Sequence, residues 1–489
     1  MPTWLTSLMP HQQAAVDKLS RLRVGALYMD MGTGKTRTAL ELALRRIGEG
    51  KADTILWLCP VGVKNTIAAE VTKHAGDVTW EIARPRRRPG SATVVIAGIE
   101  SLSGSISLNA RLLELVQERR CFLVVDESNL VKNPRADRTL AVWRLAERCP
   151  YRVMLNGTPL SNNIADLFSQ WYLLDWRILG YTRFYSFAAN HLEYDPERPG
   201  RIIRAHRVDY LVRKMAPYLY QVRKGECLSL PPKTYSWRTC SMSWEQASEY
   251  ERAKDQILMN PDAYDLSPSI AIYRLFTALQ RVVSGLSHTG APLWEDPEDN
   301  PRIRALLETV AGIPDDARAL VWCKYTHEIE SVRATLRTHY GPECVAEVWG
   351  GIPQRRRQDE LDRFQGPARF LVANRECAAY GLNLQHCHYA VYYSNTFAWA
   401  SRSQSEDRLH RQGQANNVHI IDVVCEGSID ERIQRCLARK ENLVESFRRE
   451  IASQRHTRDS LGRWLDGADA TAPSDGRARR VRDYRRQAA

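Results

Sequence analysis

The segment that most constrains this chain is Gly32-Thr33-Gly34-Lys35-Thr36, set between an apolar run, Val24–Met29, and a helical pattern, Thr36–Ile47. Glycines let backbone N–H groups approach phosphate oxygens closely, and the start of a helix favours an anion. In such a loop Gly32, Thr33 and Gly34 shape the cradle. Lys35 would reach the β- and γ-phosphates of ATP, and the Thr36 hydroxyl would hold Mg²⁺. The longer eight-residue form of this motif is incomplete, because Met29 stands where its first glycine is expected. The strand–loop–helix context therefore carries the reading.

A second mark lies downstream. Val124-Val125-Asp126-Glu127 ends an apolar strand-like run in two carboxylates. Alone, such a pair reads as a helix cap or a loop. After a phosphate loop in the same unit, Asp126 is expected to hold Mg²⁺, and Glu127 to orient and activate the attacking water.

The rest of the first third alternates strand-like runs (Thr54–Cys59, Thr93–Ala97, Cys121–Val125, Tyr151–Leu155) with helical or loop segments. Continuous apolar strands of this kind belong to a parallel sheet covered on both faces. The last third repeats the theme. Its strand-like runs are Ala319–Cys323, Val345–Trp349, Arg369–Ala373, Tyr389–Ser394 and His419–Val424; its helical patterns are Thr326–Thr338, Gln354–Phe364 and Ser401–Arg411. The middle, rich in aromatics and arginines, reads as mostly helical insertions plus a connection, with a long helix over Trp244–Leu258 and loops at Asp262–Pro268 and Pro292–Pro301. The expected division is lobe one over 1–180, insertions and connection over 181–300, lobe two over 301–452, and a basic, disordered tail over 453–489.

At 489 residues, 44% hydrophobic and 26% charged, the chain is long enough for two cores. It has no apolar run of the roughly 18 residues that a membrane span needs. Its start, Met1-Pro2-Thr3-Trp4, lacks the pattern of a secretory signal. The 11 cysteines are scattered and never in C-x-x-C spacing. That excludes a disulfide framework and implies an intracellular, reducing setting. His386-Cys387-His388 has no second ligand cluster at zinc-like spacing, so it is read as ordinary structure. The net charge of +12 favours a polyanionic partner. Two arginine-rich stretches, Arg84–Arg88 and Gly476–Arg486, are read as a solvated loop and a disordered tail.

The ordered motifs resemble those of superfamily-two helicases, and among them the Swi/Snf-type DNA-dependent ATPases, from Leu8 to about Leu443. Met29-Asp30-Met31-Gly32-Thr33-Gly34-Lys35-Thr36 is similar to that family's D-E-M-G-L-G-K-T. Leu58-Cys59-Pro60 and Ala97-Gly98-Ile99-Glu100-Ser101 match its motifs Ia and Ib. Asp126-Glu127-Ser128-Asn129 fills the place of its acidic tetrad, and Leu155-Asn156-Gly157-Thr158-Pro159 resembles L-T-G-T-P. Gly381-Leu382-Asn383-Leu384 matches the core of motif V. Gln404, Asp407-Arg408 and Arg411-Gln412-Gly413-Gln414 match motif VI. Arg223-Lys224 through Leu230-Pro231-Pro232-Lys233 is similar to the family's R-x-K…L-P-P-K.

The resemblance implies an α/β fold of two tandem RecA-like lobes with helical insertions, using ATP and Mg²⁺. It places Gln12 against the adenine and Gln404 and Gly381 at the nucleotide. It makes Arg408 and Arg411 arginine fingers, and it implies a double-stranded DNA partner tracked along its phosphates. Lys64, Ser101 and Lys324 are the candidate contacts, and Trp399 would stack on a base or brace the lobe. Three departures bear on coupling: Asn129 for a histidine, Asn156 for a threonine, and Ala378-Ala379-Tyr380 for a glycine-richer turn. Two other readings stay open, a strand-separating DNA or RNA helicase and an ATP-gated clamp with little turnover. A metabolic phosphate-loop kinase would leave motifs V and VI unexplained.

Overall fold

The computed structural model describes residues 3–157, 164–196, 200, 202–259, 269–374, 384–440, 443, 446 and 465–466. Thr158, Pro159, Gly381, the loop Asp262–Pro268, the turn Ala378–Tyr380 and the tail stretch Gly476–Arg486 lie outside them.

Two separate parallel sheets form. The first contains β1 (Val24–Met29), β2 (Thr54–Cys59), β3 (Trp80–Ile82), β4 (Val94–Gly98), β5 (Cys121–Val125), β6 (Tyr151–Asn156) and β9 (Leu219–Val222), in the order β3-β4-β2-β5-β6-β1-β9. The second contains β10 (Lys233–Cys240), β11 (Ala319–Cys323), β12 (Val345–Val348), β13 (Phe370–Asn374), β14 (Tyr389–Tyr392) and β15 (Val418–Cys425), in the order β10-β15-β14-β11-β13-β12. A short antiparallel pair, β7 (Leu192–Tyr194) and β8 (Ile202–Ala205), stands apart. Every residue of β1, β2, β4, β5 and β11 is buried. That is why these strands read as unbroken apolar runs: helices cover both faces.

The strand-like runs of both outer thirds thus become sheet strands, with ends shifted by one or two residues. The middle differs from its expected form. The span 181–300 does hold helices, among them Trp244–Leu258 and Ser269–Val283, but it also supplies an edge strand to each sheet. β9 pairs with β1, and β10 pairs with β15 over eight residues, Lys233↔Val418 to Cys240↔Cys425. β9 is only four residues long and β10 is mixed in polarity and partly exposed, as an edge strand buries only part of its surface. The chain therefore crosses between the sheets within Arg223–Pro232.

The helical pattern read over Ser401–Arg411 is also shorter than expected. The helix covers Trp399–Glu406, and Arg408 and Arg411 follow it in an irregular segment. No helix among the described residues is long and apolar enough to cross a membrane. Cys387 is buried, its thiol 3.2 Å from the Arg318 carbonyl and 3.3 Å from that of Tyr389, and burial pushes it up to about 12.

Candidate nucleotide site between the lobes

Parallel strands place their carboxyl ends on one edge of a sheet, and ligand loops collect there. β1 delivers the phosphate loop to that edge, and the helix Lys35–Gly48 starts from it. Gly32 and Gly34 both take φ of +82°. A Cβ on Gly34 would lie 2.0 Å from Gln12 Nε2, so a side chain there would have to displace Gln12 or the loop. Gln12 itself is buried; its amide donates to the Thr33 carbonyl at 3.2 Å and accepts from the Met9 N–H at 2.9 Å. It braces the loop from behind.

Lys35 Nζ donates to the carbonyls of Met29 at 2.7 Å and Asp30 at 3.3 Å. Burial lowers its pKa, while Glu127, Asp126 and Asp30 oppose that. A desolvated cation facing two carboxylates suits a phosphate chain bridged to a metal ion.

β5 lies two strands from β1, and Asp126 directly follows its last residue, Val125. The backbone N–H of Asp126 donates to Leu58 at 2.8 Å, fixing this turn to β2. Glu127 adopts φ 51° and ψ 59°, a left-handed conformation that a non-glycine residue rarely takes, and its N–H donates to Asp126 Oδ1 at 3.0 Å. Burial and the neighbouring Glu127 push the Asp126 carboxyl up to about 7, against the pull of Lys35. Two carboxylates held this close share a strong demand for a cation.

The second lobe closes the other side. One cleft is lined by Gly32, Gly34, Lys35, Thr36, Asp126 and Glu127 from lobe one and by Asp407, Arg408 and Arg411 from lobe two. A Cβ on Gly32 would sit 3.1 Å from Arg411 Cβ, so the arginine segment lies against the phosphate loop itself. Burial lowers the Arg411 pKa, with Glu70 and Asp407 opposing. The arginine segment is anchored from within lobe two. Arg402 pairs with Asp422 of β15 at 2.6 Å and with Glu406 at 2.9 Å, all three buried; Tyr235 donates to Glu406 at 2.9 Å.

The structure thus brings together Lys35, Thr36, Asp126, Glu127, Arg408 and Arg411, as the motifs implied. Thr33 is buried beneath the loop, its hydroxyl donating to the Asp30 carbonyl at 2.7 Å. Gln404 lies on the helix Trp399–Glu406 and does not line the cleft. Lys64 and Ser101 begin the helices that follow β2 and β4, which are neighbours in the sheet. Glu100 ties the two segments by accepting the Val61 N–H at 2.9 Å. Lys324 is turned inward: its ammonium donates to Gln280 Oε1 at 2.8 Å and lies 3.1 Å above the Phe397 ring. Trp399 is half-buried against the cluster around Phe397 and Ile433, with Lys440 over its ring. That geometry fits the bracing role better than base stacking. The helix Lys64–His74 adds Thr66 and Glu70 to the cleft, residues that no motif marked.

Two parallel α/β lobes with a phosphate loop in one and paired arginines from the other define a two-lobed phosphate-loop ATPase architecture. The SNF2-related domain matches residues 11–283 and the helicase conserved C-terminal domain residues 302–413, and the chain belongs to the SNF2-related family. It is 24% identical over 91% of its length to the Bacillus subtilis (strain 168) protein YwqA, by name an ATP-dependent helicase/translocase, covering 49% of that protein. It is 26% identical over 70% of its length to CHROMATIN REMODELING 4 of Arabidopsis thaliana, covering 16% of it. The chain therefore spans half the length, or less, of these relatives. Among solved structures, the Sulfolobus solfataricus SWI2/SNF2 ATPase core in complex with dsDNA shares 20% identity at a TM-score of 0.42, with 95% of this chain and 98% of that one covered.

Proposed function

We propose that the protein is an ATP-driven motor that moves along double-stranded DNA. The observation that carries this reading is the single cleft to which lobe one brings Lys35, Asp126 and Glu127 and lobe two brings Arg408 and Arg411. Acidic, cationic and arginine groups from two bodies meet at one place only when those bodies are together. Nucleotide state and lobe position are then coupled. Lys35 draws the phosphates into the loop, Glu127 orients the attacking water and takes its proton, and Arg408 and Arg411 face the charge that develops on the transferred phosphoryl group. The oxygen donors Thr36 and Asp126 suit Mg²⁺, which when bound would neutralise phosphate charge.

Duplex DNA is proposed from the family, from the charge of +12, and from the placement of Lys64 and Ser101 at the starts of helices that follow two adjacent strands. Such backbone contacts predict sequence-independent, salt-sensitive binding. A motor of this kind works where ATP and DNA coexist, in the cell interior.

The test is steady-state ATP turnover without nucleic acid and then with duplex DNA, single-stranded DNA or duplex RNA, alongside Glu127→Gln. Stimulation by duplex DNA that is lost in the variant is expected. Greater stimulation by single strands or RNA points to an unwinding helicase, and absent turnover with tight ATP-dependent DNA binding points to a clamp.

A further inference from the structure

Lys224 belongs to lobe one by its backbone and to lobe two by its side chain. It directly follows Val222-Arg223 at the end of β9, and its N–H donates to Asp30 Oδ2 at 2.8 Å, in the phosphate loop. Its Nζ donates to Asp407 Oδ1 at 2.7 Å and also to the His410 carbonyl. Asp407 and His410 bracket Arg408. The contact is largely dry: the Lys224 side chain is 12% exposed and that of Asp407 18%.

A buried cation between two bodies is costly unless its partners are well placed. Here the partners are the residues on either side of Arg408. The segment they occupy has left its helix at Glu406, and its backbone bonds stay within lobe two: Asp407 N–H to Ser403 at 3.0 Å, His410 N–H to Glu406 at 3.0 Å, and Leu384 N–H to Arg408 at 3.2 Å. Those bonds place it within lobe two; the Lys224 tie links it to lobe one. Lys233 makes a similar tie to Glu406 at 2.8 Å and lies 4.0 Å from Asp407 Oδ1, but Lys233 sits in β10, within lobe two.

We propose that Lys224 is a positioning residue that sets Arg408 in register with the phosphate loop, acting as a strut at the crossing between the lobes. This rests on the reading of the cleft as an ATP-hydrolysing site. A misplaced arginine loses transition-state stabilisation while leaving ground-state nucleotide binding largely intact. The strut therefore acts on kcat rather than on KM.

The experiment uses the full chain and DNA-stimulated ATP turnover. Lys224→Met removes the charge and keeps the length. The expected result is a kcat lower by about tenfold or more with the KM for ATP within about threefold. The thermal midpoint stays near that of the wild type, and Lys224→Arg restores most of the loss. In an Arg408→Ala background, followed by single-turnover kinetics, Lys224→Met is expected to add less than about twofold, because the two act as one unit. If Lys224→Met folds poorly, Lys224→Gln is read by the same criteria. A kcat within twofold of wild type for the folded variant overturns the proposal, as does an undiminished effect in the Arg408→Ala background. Absence of turnover by the wild type overturns the reading of the site and the strut with it.

Discussion

The Ser128 hydroxyl donates to Gln170 Oε1 at 2.7 Å, and the side-chain amide of Asn156 lies 3.4 Å from the same oxygen. All three residues are buried. Gln170, on the helix Ala165–Leu179, therefore joins the segment after Asp126-Glu127 to the end of β6. Asn129, which replaces the family's histidine, is exposed and stands outside this tie. The link between the two motifs runs through Ser128 instead.

Replacing Gln170 by leucine removes the shared acceptor and with it the side-chain bond of the buried Ser128 hydroxyl. Stability is expected to fall by about 2 kcal/mol, measured by urea unfolding. If the tie also transmits nucleotide state, the ratio of DNA-stimulated to basal ATP turnover falls further than basal turnover does.

Glu127→Gln keeps shape and removes the base, so ATP binding should persist while turnover is lost. Arg408→Ala should lower kcat by roughly a thousandfold if the arginine acts as a finger. Nucleotide binding measured beside turnover separates the two effects. Loss of binding in Glu127→Gln would contradict the assigned role.

Gly34→Ala places a methyl group 2.0 Å from Gln12 Nε2 at a backbone φ of +82°. The loop must move or Gln12 must leave its place. ATP affinity is expected to fall by at least about tenfold, since left-handed strain adds roughly 1 kcal/mol or more to the clash. Gly50→Ala, with φ +67° and nothing within 4 Å of the added atom, is the control for strain alone.

In lobe two, Glu328 is buried and accepts from the Lys324 N–H at 2.9 Å, the Tyr325 N–H at 3.1 Å and the hydroxyls of Ser284 and Ser394. Burial pushes its carboxyl up, but His327, Arg302 and the two hydroxyls outweigh it, so it titrates below its ordinary value. A depressed folded-state value means that the carboxylate stabilises the fold above the unfolded-state value of about 4.3. That contribution is lost as pH falls further, through the folded-state value. Glu328→Ala should therefore cost about 3 kcal/mol at neutral pH. It should also flatten the acid limb of the stability profile; an unchanged limb would place the acid transition elsewhere.

Much of this protein is legible along the chain. The strands of both outer thirds, the phosphate loop and the Asp126–Glu127 pair are local patterns. A parallel sheet needs runs of apolar residues, and a phosphate cradle needs glycines in sequence, so each writes itself into neighbouring positions. The two arginines of motif VI were legible too, though only through family resemblance, since an arginine pair by itself is an ordinary basic surface.

Other features depend on residues far apart in sequence meeting in space. β9 is short and β10 mixed in polarity, and only the sheets they join reveal them as edge strands. The left-handed turn at Glu127 follows from what packs around it, since nothing in a glutamate codes for positive φ. Lys324, a candidate DNA contact by resemblance, finds Gln280 and Phe397. Glu70 reaches the cleft, near Arg411, from a helix that packs on lobe one. Lys224 touches Asp30 and Asp407, residues 194 and 183 positions away. Sequence fixes which groups a segment carries, through propensity and periodicity. Which charges end up paired, buried or facing a cleft is decided by tertiary packing, because burial and distance set those energies and neither is a property of the local chain.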